Sequence, residues 1–178
     1  MTERNLVVGY GNPLRGDDGL GWHAAAALTA DPRLADTDVL TRHQLTPELA
    51  EDVANARLAV LIDASLGDTP GCVSIREVAP APGPSWSHHL RPEDVVGLAQ
   101  ALFGATPQVF LVTVTGAHFG YGTQLSPAVS SCMPKVVAIV TAALLPSPLR
   151  ERPEGGSDGS QVALSSPYLR RAASKAAT

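Results

Sequence analysis

The stretch Leu6-Val-Val-Gly-Tyr-Gly-Asn-Pro-Leu-Arg-Gly-Asp-Asp-Gly-Leu-Gly21 decides the fold. It begins with a short apolar run, which predicts a strand over Leu6 to Tyr10, and continues as a glycine-rich turn. The alanines that follow favour a helix from about Leu20 to Thr29, where Asp31-Pro32 ends it. A strand that leads into a helix through a tight turn is the opening unit of an α/β domain.

Strand-like and helix-like segments alternate along the rest of the chain, which predicts an α/β fold with a mostly parallel sheet. The further predicted strands are Asp38 to Arg42, Leu58 to Ile62, Cys72 to Val78 and Gln108 to Thr115. The further predicted helices are one capped by Thr46 with Pro47 at its first position, one from Pro92 to Leu102 closed by Gly104, and one reaching Leu145 that contains Pro134. Because the residues from Cys72 to Val78 alternate in polarity, this strand is expected to be half exposed and to allow antiparallel pairing.

The length of 178 residues accommodates one domain and no second full domain. We expect this single α/β domain to span residues 1–145. Residues 146–178 are rich in Pro, Gly, Ser and Ala and poor in large apolar side chains, which predicts a disordered or loosely attached C-terminal tail.

Charge and hydropathy argue against several classes of partner. The net charge is -4 and the pI is near 5.7, and residues 1–145 contain no cluster of Lys and Arg, so neither nucleic acid nor an anionic membrane surface is expected to bind. The N-terminus lacks the apolar region and cleavage site of a secretory signal, and no uninterrupted apolar run is long enough to span a bilayer. We therefore expect a soluble, cytoplasmic protein.

Polar residues follow three of the predicted strands. Asp17 and Asp18 lie in the loop after the first strand, Asp63 ends the third, and His88 and His89 end the loop that follows the fourth. Ligands of open parallel sheets bind outside the carboxyl ends of the strands, so we expect these carboxylates and an imidazole to converge at one edge. Asn12, in the first loop, is a weaker candidate.

The residue types at this edge favour a cation over a nucleotide. The first loop has Leu14 where the dinucleotide fingerprint GxGxxG needs its third glycine, and Asp17 and Asp18 at a helix N-terminus would repel phosphate, so no nucleotide cofactor is expected. Carboxylate and imidazole ligands suit Zn, Ni, Fe or Mn, and three protein ligands leave a position open for substrate. Each residue also has a structural alternative: Asp63 as a loop cap, Asp17 as a helix cap, and the histidines as solvent-exposed side chains.

The loop from Gly9 to Gly21 resembles the signature of the hydrogenase maturation protease family, in which GxGN is followed closely by an acidic pair and a glycine. Four further segments occur in the family's order. They are His43 to Leu49, the strand that ends in Asp63, Ser87 to Leu90, and Thr123 to Ala128 with the helix after it. The resemblance covers about residues 5–145 and leaves the C-terminal tail unexplained.

The resemblance implies a three-layer α/β/α sandwich around a twisted, mostly parallel sheet. It also implies that Asp18, Asp63 and His88 are the catalytic, metal-binding residues. His88 is preferred to His89 because the family's histidine precedes one variable residue and then a hydrophobic one, here Leu90. Asp17 is a candidate general base, although helix capping is its favoured role.

The implied activity is that of an aspartic-type, metal-dependent endopeptidase. Members of the family remove a C-terminal extension from a hydrogenase large-subunit precursor that already carries nickel, so the metal would be supplied by the substrate. A non-catalytic nickel-sensing module that binds the same precursor is the alternative, because such a module would need the same ligands without the hydrolysis.

Overall fold

The computed structural model describes residues 4–81, 90–105 and 107–145. Five strands and five α-helices occur in these residues, with short 3-10 turns at Gly16–Gly19 and Pro32–Leu34. In chain order they are β1 (Asn5–Tyr10), α1 (Leu20–Thr29), β2 (Thr37–Arg42), α2 (Leu49–Ala54), β3 (Leu58–Ser65), β4 (Val73–Glu77), α3 (Pro92–Phe103), β5 (Gln108–Thr115), α4 (Pro127–Ser130) and α5 (Met133–Leu144). The predicted tail, residues 146–178, lies outside the described residues.

All five strands form one sheet in the order β2-β1-β3-β5-β4. The first four strands in that order are parallel, and β4 pairs antiparallel with β5, from Val73 opposite Val114 to Glu77 opposite Phe110. β4 lies at the edge, and from Val73 to Arg76 its residues alternate between half-buried and exposed, as expected of a strand with one covered face. The predicted mostly parallel sheet with one antiparallel strand is confirmed.

Helices cover both faces of the sheet. On one face α1 and α5 contribute residues such as Leu28 and Val140 to a buried cluster with Val60 of β3. On the other face α2 and α3 contribute residues such as Val53 and Val95 to a second buried cluster. The three-layer α/β/α arrangement is therefore confirmed, and it explains why the first five residues of β3 are buried throughout.

Two glycines allow the start of α1 to pack directly on the end of β1. A Cβ atom added to Gly9 would lie 2.0 Å from the carbonyl oxygen of Gly21, and one added to Gly21 would lie 2.4 Å from the backbone nitrogen of Tyr10. No side chain fits at this crossing. The glycine-rich first loop thus sets the distance between helix and sheet, and it needs no bound phosphate to account for it.

Two predicted boundaries differ from the structure by more than one residue. Thr46 was expected to cap α2, but that helix begins at Leu49 after a turn in which the Leu49 N–H bonds to the Thr46 carbonyl, so the N-cap prediction is wrong. β3 does not end at Asp63, because backbone pairing with β5 continues to Ser65 opposite Thr115. Asp63 is consequently held by the sheet and does not belong to a loop.

The described residues contain one helical stretch, Pro127–Leu144, that is long and apolar enough to cross a membrane. It is divided into α4 and α5, and Val136, Val140 and Leu144 of α5 are buried against the sheet. The packing of this helical layer on the core accounts for its apolar composition.

Candidate active site

The sheet topology places Asp18 and Asp63 on the two sides of a topological switch point, the place where connections from two neighbouring strands run in opposite directions. From β1 the chain crosses to β2 on one side, while β3 lies on the other side of β1, so the connections leave a crevice at the carboxyl ends of β1 and β3. Asp18 lies in the 3-10 turn after β1, and Asp63 lies near the end of β3. Because β1 and β3 are neighbouring parallel strands, the two carboxylates lie at the same end of the sheet.

Asp63 is a partly buried carboxylate with an unusual affinity for protons. Burial is the largest cause and, together with the charge of Asp18, raises the pKa of Asp63 to about 6. The nearby Tyr10 hydroxyl and Ala64 N–H favour the charged carboxylate and oppose this increase in the pKa of Asp63. A carboxylate in this state gains from a nearby cation, because a cation offsets both its desolvation and its repulsion from Asp18.

Tyr10 is a site residue that the sequence did not reveal. Gly9 pairs with Ile62, so Tyr10 and Asp63 are side by side on neighbouring parallel strands. Burial and the charge of Asp63 raise the pKa of Tyr10 above that of a free phenol, so the hydroxyl stays protonated beside the carboxylate. Tyr10 occupies the variable position of GxGN, and only knowledge of the strand register would have shown its role.

A Tyr10→Phe substitution is expected to slow any reaction that uses Asp63 by about tenfold, the smaller end of the losses seen when the hydrogen-bond partner of a metal ligand is removed. Because the Tyr10 hydroxyl lowers the pKa of Asp63, its loss should raise that pKa further above 6. The acidic limb of the pH profile of kcat/KM should therefore move to higher pH.

Tyr121→Phe is the matched control for this substitution, because the Tyr121 side chain is exposed. It removes the same hydroxyl but keeps the apolar ring, and the acidic limb of the pH profile should stay at its wild-type position. An unshifted acidic limb in the Tyr10→Phe variant would show that the Tyr10 hydroxyl does not tune Asp63.

Asp17 serves the fold, and its predicted helix-capping role is wrong. Neither the 3-10 turn nor α1 has a side-chain cap. The Asp17 carboxylate instead accepts three backbone N–H groups from distant residues, those of Ala117 at 2.7 Å, His118 at 2.9 Å and Ser126 at 2.7 Å. These bonds fasten the first loop to the loop that follows β5.

The same environment argues against Asp17 as a general base. Its side chain is fully buried, and both carboxylate oxygens are already hydrogen-bonded. Burial alone would raise the pKa of Asp17, but the N–H groups of Ser126, His118 and Ala117 outweigh it and hold that pKa below its ordinary value. Asp17 is therefore a structural group that is ionised at neutral pH.

Asn12 acts on the site through the backbone. Its N–H donates to Oδ2 of Asp18 at 2.9 Å, and its side-chain oxygen accepts the N–H of Leu14 at 3.0 Å. Gly11, with a φ of +123°, precedes it, and a Cβ atom there would lie 2.1 Å from the Asp18 carbonyl oxygen. The indole of Trp22 fixes this turn by donating to the Gly11 carbonyl at 2.9 Å. Asn12 thus shapes the loop that orients Asp18.

The structure brings together two of the three predicted ligands. His88 and His89 lie outside the described residues, and so their predicted role stays a prediction. Within residues 4–81, 90–105 and 107–145, no three His, Cys, Asp or Glu side chains are grouped so that they could hold a metal ion. Asp18 and Asp63 thus form a two-carboxylate site in the part of the chain that is described.

Comparison with known proteins finds no matching family model and no matching curated protein. Solved structures do match. The hydrogenase maturating endopeptidase HybD from E. coli superposes with a TM-score of 0.64 at 24% identity, covering 79% of this chain and 91% of that one. The [NiFe] hydrogenase maturation protease HycI from Thermococcus kodakarensis gives 0.63 at 20% identity, covering 80% and 92%. An endopeptidase from Escherichia coli, solved in solution, gives 0.62 at 26% identity, covering 79% and 91%.

These neighbours share the fold of this chain over nearly their whole length. The α/β/α fold that the resemblance to hydrogenase maturation proteases implies is confirmed by these structural neighbours.

Proposed function

We infer that this chain belongs to the hydrogenase maturation endopeptidases and is a peptide-bond hydrolase, and we propose that it removes a C-terminal extension from a nickel-loaded hydrogenase large-subunit precursor. The observation that carries this proposal is the pair Asp18 and Asp63, placed at the switch point of a sheet whose structural neighbours are maturation endopeptidases. The first-loop signature supports it independently.

The proposed substrate brings the metal with it. Two carboxylates that repel each other favour a cation between them. The Asn12 N–H already holds Asp18 by a hydrogen bond, and the Tyr10 hydroxyl lies beside Asp63. We propose His88 as the third ligand. Nickel bound to the precursor would then act as a Lewis acid, which polarises the scissile carbonyl or an attacking water.

The alternative of a non-catalytic nickel-sensing module uses the same residues. Asp18, Asp63 and His88 would report whether nickel has been inserted, and the precursor would leave unchanged. The structural neighbours named as endopeptidases favour the hydrolase.

Cleavage assays with the purified protein separate the two functions. The precursor is supplied with and without nickel, and the products are weighed by intact-mass spectrometry. We expect the mass of a C-terminal peptide to be lost only from the nickel-loaded precursor. A stable complex of unchanged mass would instead support the sensing module, and neither binding nor cleavage would contradict both functions. Fractionation of source cells would test the proposed cytoplasmic location.

A further inference from the structure

Large apolar side chains are exposed at the edge of the sheet that holds Asp18 and Asp63. Leu14 follows β1 and is 48% exposed, Leu66 follows β3 and is 84% exposed, and Tyr121 follows β5 and is 91% exposed. All three lie in loops at the carboxyl ends of parallel strands. Exposed apolar groups gathered around a site indicate a surface that another molecule covers.

Backbone hydrogen bonds hold two of these loops together. The Gly122 N–H donates to the Leu14 carbonyl at 2.9 Å, and the Gly16 N–H donates to the Gly122 carbonyl at 2.8 Å. Tyr121 is therefore fixed next to the first loop. The buried Asp17 carboxylate adds three hydrogen bonds between the first loop and the loop after β5.

The loop after β3, which carries Leu66, is also bonded to the loop after β5. The Gly116 N–H donates to the Ser65 carbonyl at 2.9 Å, one residue before Leu66. Gly116 also packs closely against the first loop, because a Cβ atom added to Gly116 would lie 3.1 Å from the Cβ of Asp17. The apolar side chains thus project from a pre-organised platform, and a partner that binds there orders little backbone.

We propose that Leu14, Leu66 and Tyr121 form a docking surface for the precursor polypeptide on either side of the bond that is cut. This inference rests on the proposed function. Nickel held by the precursor must come against Asp18 and Asp63, and the protein chain around that nickel must then pass over the three loops that surround them. The occupant is an extended segment that carries apolar side chains, because the exposed platform groups are themselves apolar.

The chain offers matched controls for this surface. Leu102 and Phe103 are 66% and 50% exposed. They lie at the end of α3, shortly before β5 begins, and therefore near the amino ends of the parallel strands, away from Asp18 and Asp63. Leu66→Ser is therefore compared with Leu102→Ser, and Tyr121→Ser with Phe103→Ser. Each pair removes a similar apolar area from exposed positions, which leaves the fold intact and is checked by circular dichroism.

Steady-state cleavage of the nickel-loaded large-subunit precursor that co-purifies from source cells is the test. Leu66→Ser and Tyr121→Ser should each raise KM about tenfold, as expected when a leucine-sized contact is lost, with kcat within about twofold of wild type. The two controls should retain the wild-type KM.

An unchanged KM in both platform variants, or a fall in kcat alone, would overturn the docking surface while the proposed function stands. An equal rise in KM for the controls would overturn it as well. If the wild-type protein neither binds nor cleaves the precursor, the proposed function fails and the docking surface fails with it. If it binds without cleaving, the dissociation constant replaces KM and the same comparison decides.

Discussion

An Asp18→Asn variant is expected to fold like the wild type and to cleave the nickel-loaded precursor about a thousandfold more slowly. The amide oxygen of Asn can still accept the N–H of Asn12, so the first loop keeps its shape. The substitution removes the negative charge that would face the metal. Because metal-assisted polarisation contributes several kcal/mol to catalysis and about 1.4 kcal/mol equals a factor of ten, a thousandfold loss is the expected scale. Single-turnover cleavage followed by intact mass measures it.

Asp68→Asn serves as the control for charge. Asp68 is exposed in the loop after β3, so this variant removes the same charge without touching the carboxylate pair, and it should cleave normally. Wild-type activity in Asp18→Asn would remove Asp18 from the site. Global unfolding of Asp18→Asn, seen by circular dichroism, would assign Asp18 to the fold instead.

The neighbouring variant Asp17→Asn is expected to lose stability by about 3 kcal/mol, which lowers the melting temperature by about 10 °C in a domain of this size. An amide has one acceptor oxygen, and its NH2 group would face an N–H donor that the Asp17 carboxylate now satisfies. The amide oxygen can still accept the N–H groups of Ala117 and His118, which keeps the loss below the sum of three charged hydrogen bonds. Thermal and urea unfolding provide the measurement.

The pH dependence of this difference has a definite sign. The folded state lowers the pKa of Asp17, so its contribution to stability is fully present above the ordinary carboxyl pKa of 3.8 and is lost as the pH falls through the lower folded value. Wild type and Asp17→Asn should therefore differ most near neutral pH and converge in acid. Equal melting temperatures at pH 7 would show that the three N–H contacts of Asp17 do not stabilise the fold.

The fold was predictable because its local signals agree with its long-range order. β3 is apolar from Leu58 to Ile62 and is covered on both faces, and Cys72 to Val78 alternates in sequence and forms an edge strand. The start of α2 was not predictable in the same way. Thr46 and Pro47 have the composition of a helix N-terminus, but their backbone forms a separate turn before Leu49.

The site was predictable in part. Asp18 and Asp63 could be found because both lie at the carboxyl ends of parallel strands. Tyr10 could not, since its contact with Asp63 depends on which residues of β1 and β3 are paired. The role of Asp17 was hidden for a similar reason, because its partners, among them Ala117 and Ser126, are about a hundred positions away.

Asp17 and Asp18, although adjacent in the first loop, are therefore under different structural constraints as the sequence diverges. The Asp17 side chain is fully buried, and its carboxylate accepts three backbone N–H groups whose positions are fixed. A Glu at this position is one methylene longer and would displace the loop after β5. Asp18 is half-buried beside the crevice, where a Glu would add one methylene of reach to the same ligand type. A relative in which only the first acid varies would have changed its scaffold, whereas one in which only the second varies would have changed its chemistry.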